Sequence, residues 1–266
     1  MATQTQKAEL LLRLHQGPDV LVLPNAWDCA SARIFEEAGF PAIATTSAGI
    51  ANSLGYADGE HIAREEMLAV VRRIAACVTV PVTADLEAGY DDIGKTAAGM
   101  IEGGAVGLNL EDGGADPETL VRKIAAVRQT GADRGIHVVI NARTDLYLYN
   151  LGDAESRFDR ACERLSRYRD AGADCLFVPG VTDEETIRKL VDALRYPINV
   201  LATAGLPGLA RLRELGIARV SVGSGIARAT LGLIQRAAHE IRNLGAFGTM
   251  LDGAMPYRDA NLLFNK

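Results

Sequence analysis

Positive charge is in deficit. The 266-residue chain carries 28 Lys and Arg against 34 Asp and Glu, a formal net charge of −6, with no long basic stretch. Phosphate backbones and anionic membrane surfaces are bound chiefly through clustered cations, so neither nucleic acid nor a membrane is expected as the main partner. Aromatic residues are also scarce at 5%, and Ala, Val, Ile and Leu carry most of the 48% that is hydrophobic. With 23% charged residues, this composition buries a large core and excludes a disordered chain. The four cysteines, Cys29, Cys77, Cys162 and Cys175, show no CxxC spacing, which argues against both a disulfide framework and a zinc site. No apolar run approaches the roughly 18 residues needed to span a bilayer. The first dozen residues are mixed-charge and amphipathic, unlike a signal peptide. A soluble cytoplasmic protein is expected.

What the sequence does contain is a rhythm. Short apolar, β-branched runs recur at residues 20–25, 42–46, 80–87, 107–112, 137–143, 175–180, 198–202 and 219–223. Most are nearly continuous rather than alternating, as expected for parallel strands covered on both faces. Segments of helical period follow at 31–38, 60–77, 93–102, 117–131, 153–171, 183–194, 206–215 and 226–244, several ending in a glycine that can turn the chain back to the sheet. Eight βα units in about 230 residues predict a (β/α)8 barrel, the fold class being α/β; a doubly wound open sheet is the alternative. No linker interrupts the rhythm, so residues 1–266 read as one domain, with an extra N-terminal helix within 1–18 and a C-terminal tail at 246–266. That tail holds Phe247, Met250, Leu251, Met255, Leu262, Leu263 and Phe264, and is expected either to pack on a neighbouring subunit or to cap the barrel.

In such a barrel the C-terminal ends of the strands share one mouth, where chemistry is placed. Polar residues cluster at those ends. Asp85 and Glu87 end the third strand, two apart and therefore expected on the same side. Glu111 and Asp112 end the fourth, and Asn141, Arg143 and Asp145 the fifth. Asn25 and Asp28 end the first, Thr45, Thr46 and Ser47 the second, and Thr203 lies near the seventh. Asp85, Glu87 and Glu111 from adjacent strands would repel one another without a cation. Oxygen ligands with no Cys or His nearby suit Mg2+, or Mn2+, rather than Zn2+. Arg143 could fork onto a substrate carboxylate, or serve as a salt-bridge partner at the mouth. Hydroxyls and backbone N–H groups at the second strand could take a second carboxylate or an oxyanion. Asp112 and Asp145 are expected to be helix N-caps. Gly223-Ser224-Gly225 opens the eighth helix as a phosphate-binding turn or, more simply, a tight one. The histidines (His15, His61, His137, His239) fall away from the mouth, and Cys29, in a βα loop, reads as a small buried hydrophobe.

The runs "LPNAWDCASARIFEEAGFPAIATTSAG", "SLGYADGEHI", "VTADLEAGY", "GAVGLNLEDG" and "INARTD" resemble the isocitrate lyase/phosphoenolpyruvate mutase superfamily, over most of the chain. The resemblance implies a (β/α)8 barrel whose last helix often swaps between neighbours, and a Mg2+ site for 2-oxo or enolate acids. It implies Asp85 as the direct metal ligand, with Glu87 and Glu111 acting through metal-bound waters and Asp58 near the metal. Thr46, Ser47 and Ala48 match the segment that binds a carboxylate, Arg143 the substrate-binding arginine, and Trp27 more loosely an aromatic over the substrate.

Departures from the family pattern bear on the reaction. Lyases of this group carry a Lys-Lys/Arg-Cys-Gly-His run after the fourth strand, and the mutases resemble "EDKxFPKxN" there. This chain instead reads Glu111-Asp112-Gly113-Gly114-Ala115-Asp116-Pro117, short and without Lys, Cys or His, and Asp91 replaces a glycine after "GY". A metal site with Arg143, Asn141 and no thiol acid suits reactions through a metal-stabilised enolate. The expected function is a Mg2+-dependent carbon–carbon lyase or decarboxylase on a small 2-oxo or 2-hydroxy dicarboxylate. Retro-aldol cleavage would need a base such as Tyr56, Tyr90 or a metal-bound water. The alternatives are a phosphonopyruvate-type C–P hydrolase or mutase, and a non-catalytic 2-oxo acid binder. A homo-oligomer, dimer or tetramer, is expected.

Overall fold

The computed structural model describes residues 2–265. Helix α1 (Gln4–Leu14) opens with a reciprocal cap, the Thr3 hydroxyl accepting from the Gln6 N–H and the Gln6 side chain from the Thr3 N–H. There follow β1 (Leu21–Leu23), β2 (Asn25–Ala26), α2 (Cys29–Glu37), β3 (Ile43–Thr45), α3 (Ser47–Ser53), α4 (Arg64–Cys77), β4 (Val82–Asp85), α5 (Ile93–Glu102), β5 (Gly107–Glu111) and α6 (Pro117–Asp133). The second half comprises β6 (Val139–Arg143), α7 (Ala154–Asp170), β7 (Cys175–Phe177), α8 (Glu184–Leu194), β8 (Ile198–Leu201), α9 (Leu209–Glu214), β9 (Arg219–Ser221), α10 (Gly225–Leu244), α11 (Gly248–Leu251) and α12 (Tyr257–Leu262).

All neighbouring strands pair in parallel, in the order β1-β9-β8-β7-β6-β5-β4-β3-β2. The nine segments occupy eight strand positions, because Pro24 divides the first strand in two. Proline offers no N–H to a ladder, yet Leu23 O still accepts from Val222 N and Pro24 O from Ala44 N. β1 therefore pairs with β9 and β2 with β3, which closes the (β/α)8 barrel. The Asn25 side chain spans the same junction, Nδ2 donating to Thr45 O at 2.7 Å and Oδ1 accepting from Gly223 N at 2.7 Å.

Strands β3, β5, β6 and β7 are buried along nearly their whole length, as expected where helices cover one face and the barrel interior the other. Helix α1 plugs the N-terminal end. Its Leu11 is fully buried, and a Cβ on Gly107 would stand 2.9 Å from Leu11 Cδ2 and 2.8 Å from Val139 O. Below the mouth the interior holds a polar layer. Arg219, fully buried, donates to Ser221 Oγ at 3.2 Å and Asn109 Oδ1 at 3.1 Å, and lies 3.4 Å from His15 Nε2. None of the described helices is long and apolar enough to cross a membrane.

Several elements differ from the sequence expectation, each for a local reason. Helix α3 interrupts the second βα connection. Thr46 caps it through Gly49 N, and a Cβ at Gly49 would meet Thr46 Cγ2 at 2.6 Å and Trp27 Cβ at 2.9 Å. Its run of small residues has no apolar period to reveal it. Helix α4 starts at Arg64 rather than at residue 60, since Glu60 takes a left-handed φ of 58°. Asp112 and Asp145 are not N-caps; those places belong to Asp116 at α6 and Asp153 at α7. The tail does not cap the mouth. It lies along the outside, with Arg33 Nε of α2 donating to Leu263 O at 2.7 Å.

Candidate active site

The strand ends enclose a cavity of about 220 Å3 at the C-terminal mouth. Its wall is formed by Thr46, Ser47, Ala48, Asp58, Asp85 and Arg143 together with Thr203, Ser224, Gly225 and Arg228. Asn25, Asn109 and Ser221 also line it, and Tyr149 and Phe177 stand beside Arg143.

Asp85 is the last residue of β4, its N–H bound to Thr45 Oγ1 at 2.9 Å. Its Oδ2 accepts from Ser47 N at 3.2 Å and lies 3.0 Å from Ser47 Oγ, which is 3.3 Å from Asp58 Oδ1. Two carboxylates from distant parts of the chain thus meet on one serine. Burial, and then the charge of Asp85, push the Asp58 carboxyl upward.

Glu87 does not follow Asp85 along the strand. It leaves β4 with a left-handed φ of 54°, so strand alternation no longer governs its side chain, and it does not line the cavity. Its Oε2 accepts from Glu60 N, while Oε1 is buried with no partner. Burial raises its pKa to about 7, with Asp58 and Asp85 pushing the same way. Glu111 ends β5 opposite Arg143 in register, and the two form an ion pair of 2.5 Å. Burial pushes the Glu111 carboxyl up, against Arg143.

Arg143 is itself heavily engaged. Nε donates to Asp145 Oδ1 at 2.6 Å, Nη1 meets Glu111, and the guanidinium lies 5.9 Å from the Phe177 ring centroid. Burial disfavours its charge, but Glu111, Asp145 and Asp85 outweigh that and raise its pKa. Asp145 is fixed in turn by Asp112, whose Oδ1 accepts from Asp145 N and Gly114 N and whose Oδ2 accepts from Arg164 Nη1 at 2.9 Å and Tyr168 Oη at 2.7 Å.

Of the residues singled out in sequence, Asp58, Asp85, Thr46, Ser47, Ala48 and Arg143 come together on the cavity wall. Glu111 and Glu87 stand behind it. Asn141 lies in the barrel interior, Nδ2 donating to Asn109 Oδ1 at 2.8 Å and Oδ1 without a partner. Tyr90 packs beside the acidic cluster with its hydroxyl buried and unpartnered. Trp27 lines a separate small cleft with Gly49, Asn52 and Leu231. None of the four histidines lines the cavity. Sequence reasoning missed Tyr149, Phe177 and Arg228 at the mouth and Arg164 and Tyr168 behind it. Only the arginine in the first turn of α10 had any signal, its place just after the eighth strand.

Among the described residues, no three Asp, Glu, His or Cys side chains form a ready-made metal cage. The arrangement is one wall carboxylate, Asp85, with a second beside it and others set back. Mg2+ keeps several waters and takes one or two protein carboxylates, so the unpartnered Glu87 oxygen and the all-oxygen donor set fit a hydrated hard cation.

Comparison with known proteins places this geometry in context. The sequence pattern of the family described as phosphoenolpyruvate phosphomutase matches residues 11–242. A protein of uncharacterised function from Mycobacterium tuberculosis is 37% identical over 92% of both chains. The crystal structure of a Burkholderia cenocepacia protein classed as a lyase/mutase superposes with a TM-score of 0.90 at 38% identity, over 99% of this chain and 97% of that one. That of 2,3-dimethylmalate lyase gives 0.84 at 28% identity, over 99% and 95%. The chain belongs to the phosphoenolpyruvate phosphomutase family, within the isocitrate lyase/phosphoenolpyruvate mutase superfamily.

Proposed function

We propose that the protein is a Mg2+-dependent carbon–carbon lyase acting on a small 2-oxo or 2-hydroxy dicarboxylate, with decarboxylation favoured over retro-aldol cleavage. The observation that carries this reading is the meeting of Asp85 and Asp58 on Ser47 at the wall of the mouth cavity, with Arg143 on the same wall. The likeness to 2,3-dimethylmalate lyase supports carbon–carbon chemistry.

Asp85 would hold the cation directly, and Glu87 and Glu111 would hold its water ligands; Mn2+ would be held in the same way. When bound, the cation supplies Lewis-acid polarisation of the 2-oxo group and stabilises the enolate charge. The remaining work falls to the chain itself. Ser47 orients Asp85 through both its N–H and its hydroxyl. Arg143, locked by Asp145 and Glu111, presents a fixed positive edge to the acid's carboxylate end. With the Ser47 donors committed to Asp85, the Thr46 hydroxyl and the Ala48 N–H beside it are the groups offered to a carboxylate oxygen. No cysteine lines the cavity, so the final proton comes from solvent through the open mouth, which decarboxylation tolerates. We further infer a homo-oligomer, dimer or tetramer, working in the cytoplasm.

The test is to follow oxaloacetate, isocitrate, 2-methylisocitrate, dimethylmalate and phosphonopyruvate by proton and phosphorus NMR with Mg2+. Cleavage of a dicarboxylate, abolished by chelator and in Asp85→Ala, is expected. Turnover of phosphonopyruvate alone would replace the lyase with C–P chemistry. Equal turnover by Asp85→Ala would sink the metal assignment.

A further inference from the structure

The two arginines on the cavity wall differ in one respect that matters for an anionic ligand. Arg143 already has two carboxylates at 2.5 and 2.6 Å and an aromatic ring against its face. The Arg228 side chain, exposed in the first turn of α10 at the cavity wall, has neither an ion-pair nor a hydrogen-bond partner among the described residues. The polar groups beside it are similarly unengaged. Ser224 precedes α10 without making a side-chain cap bond. The Thr203 hydroxyl has only a long contact of 3.5 Å, to Leu201 O. The cavity wall therefore carries two groups, carboxylates gathered around Asp85 and Arg143, and, beside the ends of β8 and β9, a cation and two hydroxyls with no strong partner in the protein.

Resting on the lyase reading above, which occupies the first group, we propose that Arg228, Thr203 and Ser224 form the subsite for the distal carboxylate of the substrate. It selects diacids over mono-acids of equal length. The α-oxo acid end sits against Asp85 and Arg143, and the far carboxylate reaches Arg228. The volume allows this. About 220 Å3 is room for roughly seven waters at about 30 Å3 each, more than a two-carbon acid fills. The guanidinium is the fitting group, since its fork takes both oxygens of a carboxylate, and being unpaired within the protein it exchanges only water when the ligand arrives.

The test uses three probes with Mg2+ at fixed ionic strength, by isothermal titration calorimetry. Oxalate reaches only the acidic end. 2-Oxoglutarate and 2-oxovalerate have the same chain length and differ in one distal carboxylate. The wild-type protein is expected to bind 2-oxoglutarate about tenfold or more tighter than 2-oxovalerate. In Arg228→Met that ratio should fall to about one while oxalate affinity stays within about twofold, and Arg228→Lys, which keeps the charge without the fork, should retain part of it. The proposal is overturned by a wild type that does not distinguish the two five-carbon acids, or by a preference that survives in Arg228→Met. Loss of oxalate binding in both variants overturns it as well, since Arg228 would then hold the mouth together rather than the ligand. A wild type that binds none of the three, oxalate included, removes the lyase reading along with this subsite; one that binds oxalate but shows no diacid preference removes the subsite alone.

Discussion

Asp112 holds Asp145 by its backbone. Asp112 Oδ1 accepts from the Asp145 N–H at 3.1 Å, and the Asp145 carboxylate then takes Arg143 Nε at 2.6 Å. The other oxygen of Asp112 is bound by Arg164 and Tyr168 of α7. A helix on the outside of the barrel thus fixes the guanidinium at its mouth through two buried carboxylates.

Breaking that chain should cost both stability and turnover. Tyr168→Phe removes one hydrogen bond to a charged acceptor and is expected to cost about 1.5–3 kcal/mol. Asp112→Asn leaves Arg164, only 11% exposed, beside a neutral group, and about 3 kcal/mol or more is expected. Urea unfolding measures both. Turnover should drop about tenfold in Asp112→Asn, as for other outer partners that orient a site residue. Wild-type stability and rate in that variant would refute the linkage.

His15 predicts a pH dependence. Burial, and then the charge of Arg219, lower its pKa from 6.5 to about 4. Between those two values the unfolded chain binds a proton that the folded one does not, so stability is lost as pH falls from 6.5 towards 4 and is unaffected by this group above 6.5. The full loss is about 3 kcal/mol. His15→Gln keeps an acceptor for Arg219 without the titration, and should flatten that part of the acid slope in unfolding measured at pH 7, 5.5 and 4.5. An unchanged slope would assign the acid loss to other groups.

Helix α10 should be covered in solution. Of its twenty residues Ala227 alone is buried, while Leu231, Ile234 and Leu244 are 50%, 63% and 77% exposed. The tail adds Phe247, Leu251 and Phe264, each more than half exposed. So large an apolar surface marks an association face. Light scattering is expected to give a dimer or tetramer, and Leu231→Glu with Ile234→Glu should shift it towards monomer. A wild-type monomer at micromolar concentration would contradict this.

The barrel was legible in sequence because its strands are continuous apolar runs separated by glycine-ended helices, a pattern that needs no distant partner. Asp85 and Arg143 were legible for the same reason, lying at strand ends that the fold must bring to one mouth. Glu87 was not, because a single left-handed residue undoes the two-residue alternation that would have aimed it beside Asp85. Nor was Asp112, whose partners Arg164 and Tyr168 arrive from a helix some fifty residues later. Trp27 matches an aromatic position by motif but faces the gap between α3 and α10, where the tight contact at Gly49 holds it.

The break at Pro24 has a kinetic side. Where every other neighbouring pair of strands is joined by an unbroken ladder, the barrel is closed through a proline that has no amide, with the Asn25 side chain clasping Thr45 O on one flank and Gly223 N on the other. A cylinder held in this way has a preferred seam at which to open. Asn25 is also part of the cavity wall, so a ligand seated in the mouth leans on the clasp. Occupancy would then be felt as slower amide exchange at Ala44 and Val222, whose N–H groups close the ladder on either side of the proline.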